Sequence, residues 1–423
     1  MRQNPERLAW LVLLISFAAC VGLVVGVPLT ARWYLLYSHT GELVTLDVQE
    51  GTLLYTCPGA EETPAGVVNR QQDLCQGREG AQVSTGPSDQ GLLSIHPRTP
   101  LTATLASVQL YRGTRLRIQE ARAPRFPLSA EPHRVVMRIE SGRIRVHIPP
   151  LLERNVLLQI YTPQALVQVT DGSTYVEVNN QQSQVIVREG QALVVALANN
   201  TGVSVNRDQR AVVPTGSGLS DVQPAERNLI ADSDLREPMG AVWRSFTADP
   251  EIDGESRGAA SNAITERGPV VELARVGAGH AETGIAQEVN RDIRDFRSLQ
   301  LHVVLRVLQQ DVPVCGSQGT ECPVMVRIDY VDEGGGTRSW LQGFYYLPDR
   351  NLKPNPEFCV TCNPRNPHIR TTSGVWYPYD SPNLIPFFSE LGPAPVTLKS
   401  VSIYASGHTY QSQIAEIELS GQE

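Results

Sequence analysis

The chain has 423 residues, 36 basic and 44 acidic side chains and a formal net charge of −8, with 34 glycines, 30 prolines and 41% apolar residues. Only Lys353 and Lys399 are lysines, and the arginines are scattered among acids instead of forming a stripe, which argues against a nucleic-acid partner. About 390 residues follow an N-terminal apolar run, enough for two domains of ordinary size, and their many short alternating runs between turn residues predict an all-β exterior.

Residues 8–31, Leu8 to Ala31, hold no charge, about 24 positions against the roughly 20 that cross a bilayer. Arg2, Arg7 and the terminal amine outweigh Glu6 in the flank 1–7, so the positive-inside bias leaves a cytoplasmic stub and places the bulk of a single-pass cell-membrane protein outside. Trp10 at one end and Trp33, Tyr34 and Tyr37 at the other fit aromatic belts. A cleaved signal would have an apolar core of only about 7–15 residues. Phe17-Ala18-Ala19-Cys20 loosely matches a lipoprotein box, but Val21 to Val27 continues the apolar run beyond it. The stub is too short to bury a core, so no signalling domain is expected inside.

Cys20 lies in the span; Cys57, Cys75, Cys315, Cys322, Cys359 and Cys362 lie outside it, an even set that favours disulfides in an oxidising compartment. The sequence leaves fifteen pairings open, of which domain membership favours Cys57 with Cys75 and the other four among themselves. Four thiolates around a tetrahedral zinc are the alternative for the later four. Cys359-Val-Thr-Cys362 sits among Pro354, Pro356, Pro364 and Pro367, with no helix to lower a thiol pKa, and reads as a loop staple.

Residues 42–213 read as the first outer domain. Leu43 to Tyr55 forms a strand pair, and Pro58 to Gln90 a stapled loop. Strands are predicted over 103–111, 115–120, 134–140, 143–148, 156–161, 165–170, 174–178, 184–188 and 192–197, with Gly113, Gly142, Gly172 and Gly190 as tight turns between them. In Arg143-Ile144-Arg145-Val146-His147-Ile148 the apolar set alternates with Arg and His, so His147 is expected on a wet face with the arginines.

The succession Val108 to Ile118, Arg138-Ile139-Glu140-Ser141-Gly142-Arg143-Ile144-Arg145-Val146, Thr162-Pro163-Gln164-Ala165, Asp171-Gly172-Ser173-Thr174-Tyr175-Val176-Glu177-Val178 and Val187-Arg188-Glu189-Gly190 resembles the FecR family over roughly residues 80–213. The resemblance implies an extracytoplasmic β domain with a role in protein or surface interaction and no catalytic residues. Regulatory members carry a cytoplasmic segment that handles a sigma factor; here only the stub stands in its place.

Pro214-Thr215-Gly216-Ser217-Gly218-Leu219-Ser220, within 214–227, has the composition of a flexible linker. Strand patterns resume after Asn228, at 299–308, 324–331, 339–346, 398–404 and 414–419; in the last, Ala415, Ile417 and Leu419 are expected on one face and Glu416 and Glu418 on the other. Asp332-Glu333-Gly334-Gly335-Gly336-Thr337 reads as a hairpin loop.

The opening Asn228-Leu229-Ile230-Ala231-Asp232-Ser233-Asp234-Leu235 with Trp243, and the ending Val401 to His408 with Glu416-Ile417, resemble galactose-binding-like jelly rolls over 228–421. The expected fold class is therefore all-β, one N-terminal transmembrane helix followed by a FecR-like β domain and a β-sandwich jelly roll. The resemblance implies sugar stacking on aromatic faces, for which Trp340, Tyr345, Trp376, Tyr377 and Tyr379 are the candidates, packing in core or rim being their plainer role. Alternation places Trp340 inward with Phe344 and Tyr346 and leaves Tyr345 outward. It also implies a structural calcium, for which Asp232, Asp234 and Glu416 could supply oxygens, as turn and solvated residues otherwise.

Gly-x-Ser-x-Gly, His-Glu-x-x-His, Walker-type and dinucleotide motifs do not occur, so no enzyme and no further cofactor are expected. His302 lies in an apolar strand and reads as a satisfied core residue; His408, in a loop, is the one histidine placed among ligand candidates. The leading expectation is a non-catalytic envelope protein presenting a carbohydrate-binding or partner-binding module. A structural scaffold, and a FecR-type signalling component acting through a partner, are the alternatives.

Overall fold

The computed structural model describes residues 5–66, 72–77, 79–98, 104–150, 154–225, 227–349, 367–390 and 392–422. Cys359 and Cys362, and with them any pairing of those two, lie outside the described residues; of the later four cysteines Cys315 and Cys322 are bonded to each other, so the four cannot act together as thiolate ligands of one zinc. After the N-terminal helix the described chain is mostly β, with only the short helices Cys315–Gln318 and Leu384–Glu390 and one 3-10 turn besides.

The N-terminal helix runs through Pro5–Val21, a π-helical turn Gly22–Gly26 and Val27–Tyr37. Ala9–Tyr37 is long and apolar enough to cross a membrane, as a signal sequence also would be. Only Ser38 separates it from the strand His39–Gly41, which pairs antiparallel with Arg115–Pro124 in the register His39 to Pro124.

A single sheet system of 16 strands carries the first β unit. Several predicted strand pairs are in fact continuous: 134–140 and 143–148 are one strand, His133–Ile148, and likewise Ala165–Val178 and Gln182–Ala196. Gly142, Gly172 and Gly190 are not hairpin turns but bends within these strands, all at positive φ. At Gly172 an added Cβ would stand 2.3 Å from the Glu189 carbonyl oxygen, so only glycine fits where the two strands cross closely. The bend at Gly142 gives His133–Ile148 two sets of neighbours. Its first half pairs with Arg115–Pro124 and Val156–Tyr161, its second with Ala106–Leu110 and Ala165–Val178. Alternate residues such as Ile144, Val146, Val176 and Val185 then meet in one core.

Two six-stranded sheets form the second unit, a β-sandwich. Leu273, Val303, Leu305, Ile417 and Leu419 of one sheet face Ile285, Val326, Ile328, Trp340 and Ile403 of the other, all buried. Each such side chain contributes roughly 1.5–3 kcal/mol by leaving water. Ala415 departs from the expected alternation. Val304 pairs with Glu416 and Leu305 with Ile414, leaving Ala415 as the extra residue of a bulge, and it packs with Leu92, Val270, Val304 and Trp376 instead of Ile417.

The segment expected to be a flexible linker is strapped down. Leu219 and Val222 pack on the first core, Ser220 N–H bonds to the Val212 carbonyl at 3.0 Å, and Ala225 N–H to that of Asp208 at 2.9 Å. Gln223–Pro224 joins the first sheet and Arg227–Asn228 pairs with the final strand, Tyr410–Gln422. Among the described residues two disulfides lock loops: Cys57–Cys75 and Cys315–Cys322.

Candidate functional site: a charged seam and its cleft

The outward face of Tyr410–Gln422 carries Glu416 and Glu418, which the alternation puts opposite Ile417 and Leu419. That face is not solvated. It lies against the face of His133–Ile148 that carries Arg145 and His147, so both polar stripes become interior. Arg145 Nη2 donates to Glu416 Oε2 at 3.0 Å and lies 3.2 Å from Glu418, while its other nitrogens bond Ser173 Oγ at 2.9 Å and the Tyr175 hydroxyl at 2.5 Å. Arg267 donates to Glu416 Oε1 at 2.8 Å and Ser107 Oγ at 3.1 Å; Arg188 Nε lies 3.0 Å from Glu418. His147, expected on a wet face, is buried with Nδ1 3.2 Å from Glu416 Oε1. His302 is buried with Nδ1 2.9 Å from Asp380 Oδ1 and Nε2 3.7 Å from Glu416 Oε2, and Asp380 accepts Gln109 Nε2 on its other oxygen at 2.9 Å.

Burial alone would raise the Glu416 pKa, but His147, Arg145 and Arg267 outweigh it and hold the carboxyl well below its usual range. Asp380 is half-buried, which by itself would raise its pKa, but His302 and Arg145 prevail and hold it down at about 2. Desolvation pushes His147 down to about 4, keeping it neutral at pH 7. For His302 burial and Arg145 act downward, and the Asp380 and Glu416 carboxylates prevail and raise it. A second contact spans the seam beside this one: Arg236 pairs with both Glu189 and Asp234, and burial followed by the neighbouring Asp234 carboxylate pushes Glu189 up to about 8.

The aromatic candidates fall mostly inside. Trp340 and Tyr345 are fully buried, the former in the sandwich core, the latter against Cys315 and Cys322, contrary to its expected outward position. Gly316 packs so closely on the Tyr345 ring that an added Cβ would stand 2.3 Å from it, so the disulfide loop covers the face that alternation leaves open. Tyr379 is buried, its hydroxyl donating to Gln342 Oε1 at 3.2 Å. Trp376 packs in the seam with Leu92; its Nε1 donates to Glu266 at 2.7 Å, and Arg306 lies over its ring at 4.4 Å, so its face is taken. Tyr377 is half-buried. His408 sits in a separate loop, 3.6 Å from Glu321, its carbonyl accepting from Arg275 at 2.7 Å.

Nor do the calcium candidates converge. Asp232 Oδ1 accepts the Arg236 backbone N–H at 2.8 Å, Asp234 pairs with Arg236, and Glu416 is surrounded by cations. Among the described residues, the one group of three His, Cys, Asp or Glu ligand atoms within 4.8 Å of one another is Cys315, Cys322 and His368. The two sulfurs there are bonded to each other, and His368 accepts the Gly343 N–H at 2.8 Å through Nδ1. That arrangement offers a metal no thiolate.

The seam is open at one end as a cleft of about 490 Å³. Val48 and Gln49 of the first unit form one wall; Tyr346, Arg370, Ser373 and Tyr377 belong to the other. Both amide atoms of Gln49 are buried without a hydrogen-bond partner among the described residues. Arg370 is exposed, and no carboxylate among the described residues pairs with it. Gln49 and Arg370 carried no motif; only the packing of the two units singles them out.

No family model matches the chain, and no curated protein matches it. Solved structures similar to parts of it include a candidate anti-sigma factor from Parabacteroides distasonis, at 17% identity and TM-score 0.25, covering 34% of this chain and 59% of that one. The chain thus spans less than two thirds of that structure. Others are the family 11 carbohydrate-binding module of a cellulosomal cellulase of Clostridium thermocellum (11%, TM-score 0.28, covering 47% and 96%) and TmCBM61 in complex with β-1,4-galactotriose (12%, TM-score 0.25, covering 46% and 99%). Scores of this size assign the chain neither a family nor a ligand.

Proposed function

We propose that this chain is a non-catalytic, single-pass cell-membrane protein whose FecR-like domain and galactose-binding-like module form one extracytoplasmic body that takes a glycan in the cleft at their seam. The observation that carries this reading is Gln49, whose buried amide has a donor and an acceptor without a partner among the described residues, in a cleft that also holds the exposed guanidinium of Arg370. An unsatisfied buried amide costs about 1–3 kcal/mol, and neighbouring sugar hydroxyls would satisfy both of its ends. Tyr346 and Tyr377 supply apolar surface for the C–H face of a pyranose. The ionic seam holds the two walls in fixed register, so little ordering is left to the ligand. No resident metal or cofactor enters the reading.

The test is a glycan array with the full chain in nanodiscs. Binding is expected, weakened at least tenfold by Gln49→Ala and by Arg370→Ala. Absence of binding, or binding indifferent to both substitutions, overturns it. Trp376→Ala and Tyr345→Ala do not discriminate, because both side chains are packed and their loss would disturb folding.

One observation favours the rival reading, a scaffold that holds an envelope protein. Ile264, 73% exposed on the edge strand Ala259–Thr265, borders an apolar groove formed with Pro150, Leu235, Pro238 and Pro269. Crosslinking from position 264 in intact membranes should then yield one stoichiometric protein, and a diffuse pattern would remove that reading. A FecR-type signalling role would require a partner in the bilayer and has no separate support in this geometry.

A further inference from the structure

The outer end of the apolar helix is held against the β body. Arg125 Nη1 donates to the Tyr34 hydroxyl at 2.6 Å, the Phe126 ring meets the Tyr34 ring edge-on at 5.6 Å, and the Arg125 N–H bonds the Ser38 carbonyl at 2.8 Å. The register of His39 with Pro124 fixes the turn that begins at Arg125 beside the point where helix becomes strand.

The level of that turn follows from the helix. Ala31 closes the charge-free run and Arg32 follows it. Tyr34 is three residues further on, about 4.5 Å at ~1.5 Å per residue. A hydrocarbon core of ~30 Å in a bilayer of 40–45 Å leaves an interfacial layer of roughly 5–7 Å on each side, so Tyr34 falls within it. At this level the turn presents Leu128 with 72% of its surface exposed, and on the end of the helix the rings of Trp33 and Tyr37 are exposed as well. Apolar tips flanked by arginine and aromatic rings suit the boundary between headgroups and acyl chains better than water.

We propose that the turn Arg125–Leu128 is a second membrane contact, with Leu128 inserted among the lipids of the outer leaflet and Arg125 level with their phosphates. The inference rests on the helix being retained as a span. Its consequence is that the β body stands on the bilayer at a fixed tilt, held by helix and turn together.

The test uses the full chain in nanodiscs of phosphatidylethanolamine and phosphatidylglycerol, with an environment-sensitive fluorescent amino acid at position 128 or, as a control, at Val276, which is 76% exposed on the sandwich. Spin-labelled lipid should quench the probe at 128 at least fivefold more than at 276, and aqueous iodide should do the reverse. A chain that resists alkaline-carbonate extraction but shows the same iodide quenching at both positions overturns this proposal and leaves the tether intact. A wild-type chain released by carbonate overturns both.

Discussion

Arg145 and Glu416 stand 271 residues apart in the chain and 3.0 Å apart in space, with side chains only 5% and 7% exposed. Neither could be buried alone, because an uncompensated charge in a protein interior is far too unfavourable. Their meeting requires the two β units to be docked, and the docking requires them. The seam therefore behaves as a shared core made of ions and hydrogen bonds.

Glu416→Ala should destabilise the full chain by about 3–5 kcal/mol, since Arg145 and Arg267 would stay buried without their common acceptor. Chemical denaturation measures this, with the two units expected to unfold in separate steps in the variant. A loss below about 1 kcal/mol would show that the seam does not hold the units together.

The seam should also give stability an uneven pH dependence. His147 is held at about 4 when folded against 6.5 when free, so its contribution is complete above pH 6.5 and lost as pH falls toward 4. Glu189 is raised from 4.5 to about 8, so its contribution is complete below pH 4.5 and lost as pH rises toward 8. The two slopes oppose each other between pH 4.5 and 6.5, and above 6.5 only the fall remains, reinforced by His302, whose raised pKa acts in the same direction as Glu189. Thermal melts across this range should be nearly flat and then decline. Glu189→Gln should unmask the rise below pH 6.5, and a profile unchanged by that substitution would count against the Glu189–Asp234 contact.

Loss of the Cys57–Cys75 bridge, which spans 18 residues, should cost about 3 kcal/mol by loop-closure entropy, and loss of Cys315–Cys322, spanning 7, about 2. Paired Cys→Ser variants compared by denaturant midpoint would check the order. The reverse order would mean that packing around Tyr345 outweighs loop length.

Two glycines with positive φ should separate strain from collision. At Gly113 an added Cβ meets nothing within 4 Å, so Gly113→Ala should cost only about 1–2 kcal/mol of backbone strain. Gly172→Ala adds a contact of 2.3 Å with the Glu189 carbonyl and should cost clearly more, measurable as a larger drop in denaturant midpoint. Equal losses would indicate that the crossing strands separate freely.

Much of the architecture is legible along the chain because its causes are local. An uncharged apolar run reads as one helix, alternation of apolar and polar residues reads as strands, and the membership of Cys57 and Cys75 in one domain favours the bridge between them. The misreadings share another cause. Gly142, Gly172 and Gly190 look the same in a tight turn and in a bent strand, because both need positive φ; which one forms depends on the neighbours of each half-strand. Ala415 changes face through a bulge that no alternation encodes.

The site was the least legible part. Arg145, His147, Glu416 and Glu418 alternate with apolar residues, and alternation states only that they share a face opposite the core. By itself the sequence determined the helix, the β character, the polar stripes and the chemistry of each residue, since these follow from composition and period. Only the tertiary structure decided that two stripes more than 200 residues apart face each other and exclude water, and that Gln49 and Arg370 share a cleft. Complementarity between distant surfaces is a property of their shapes in space, and a one-dimensional pattern carries no distance between them.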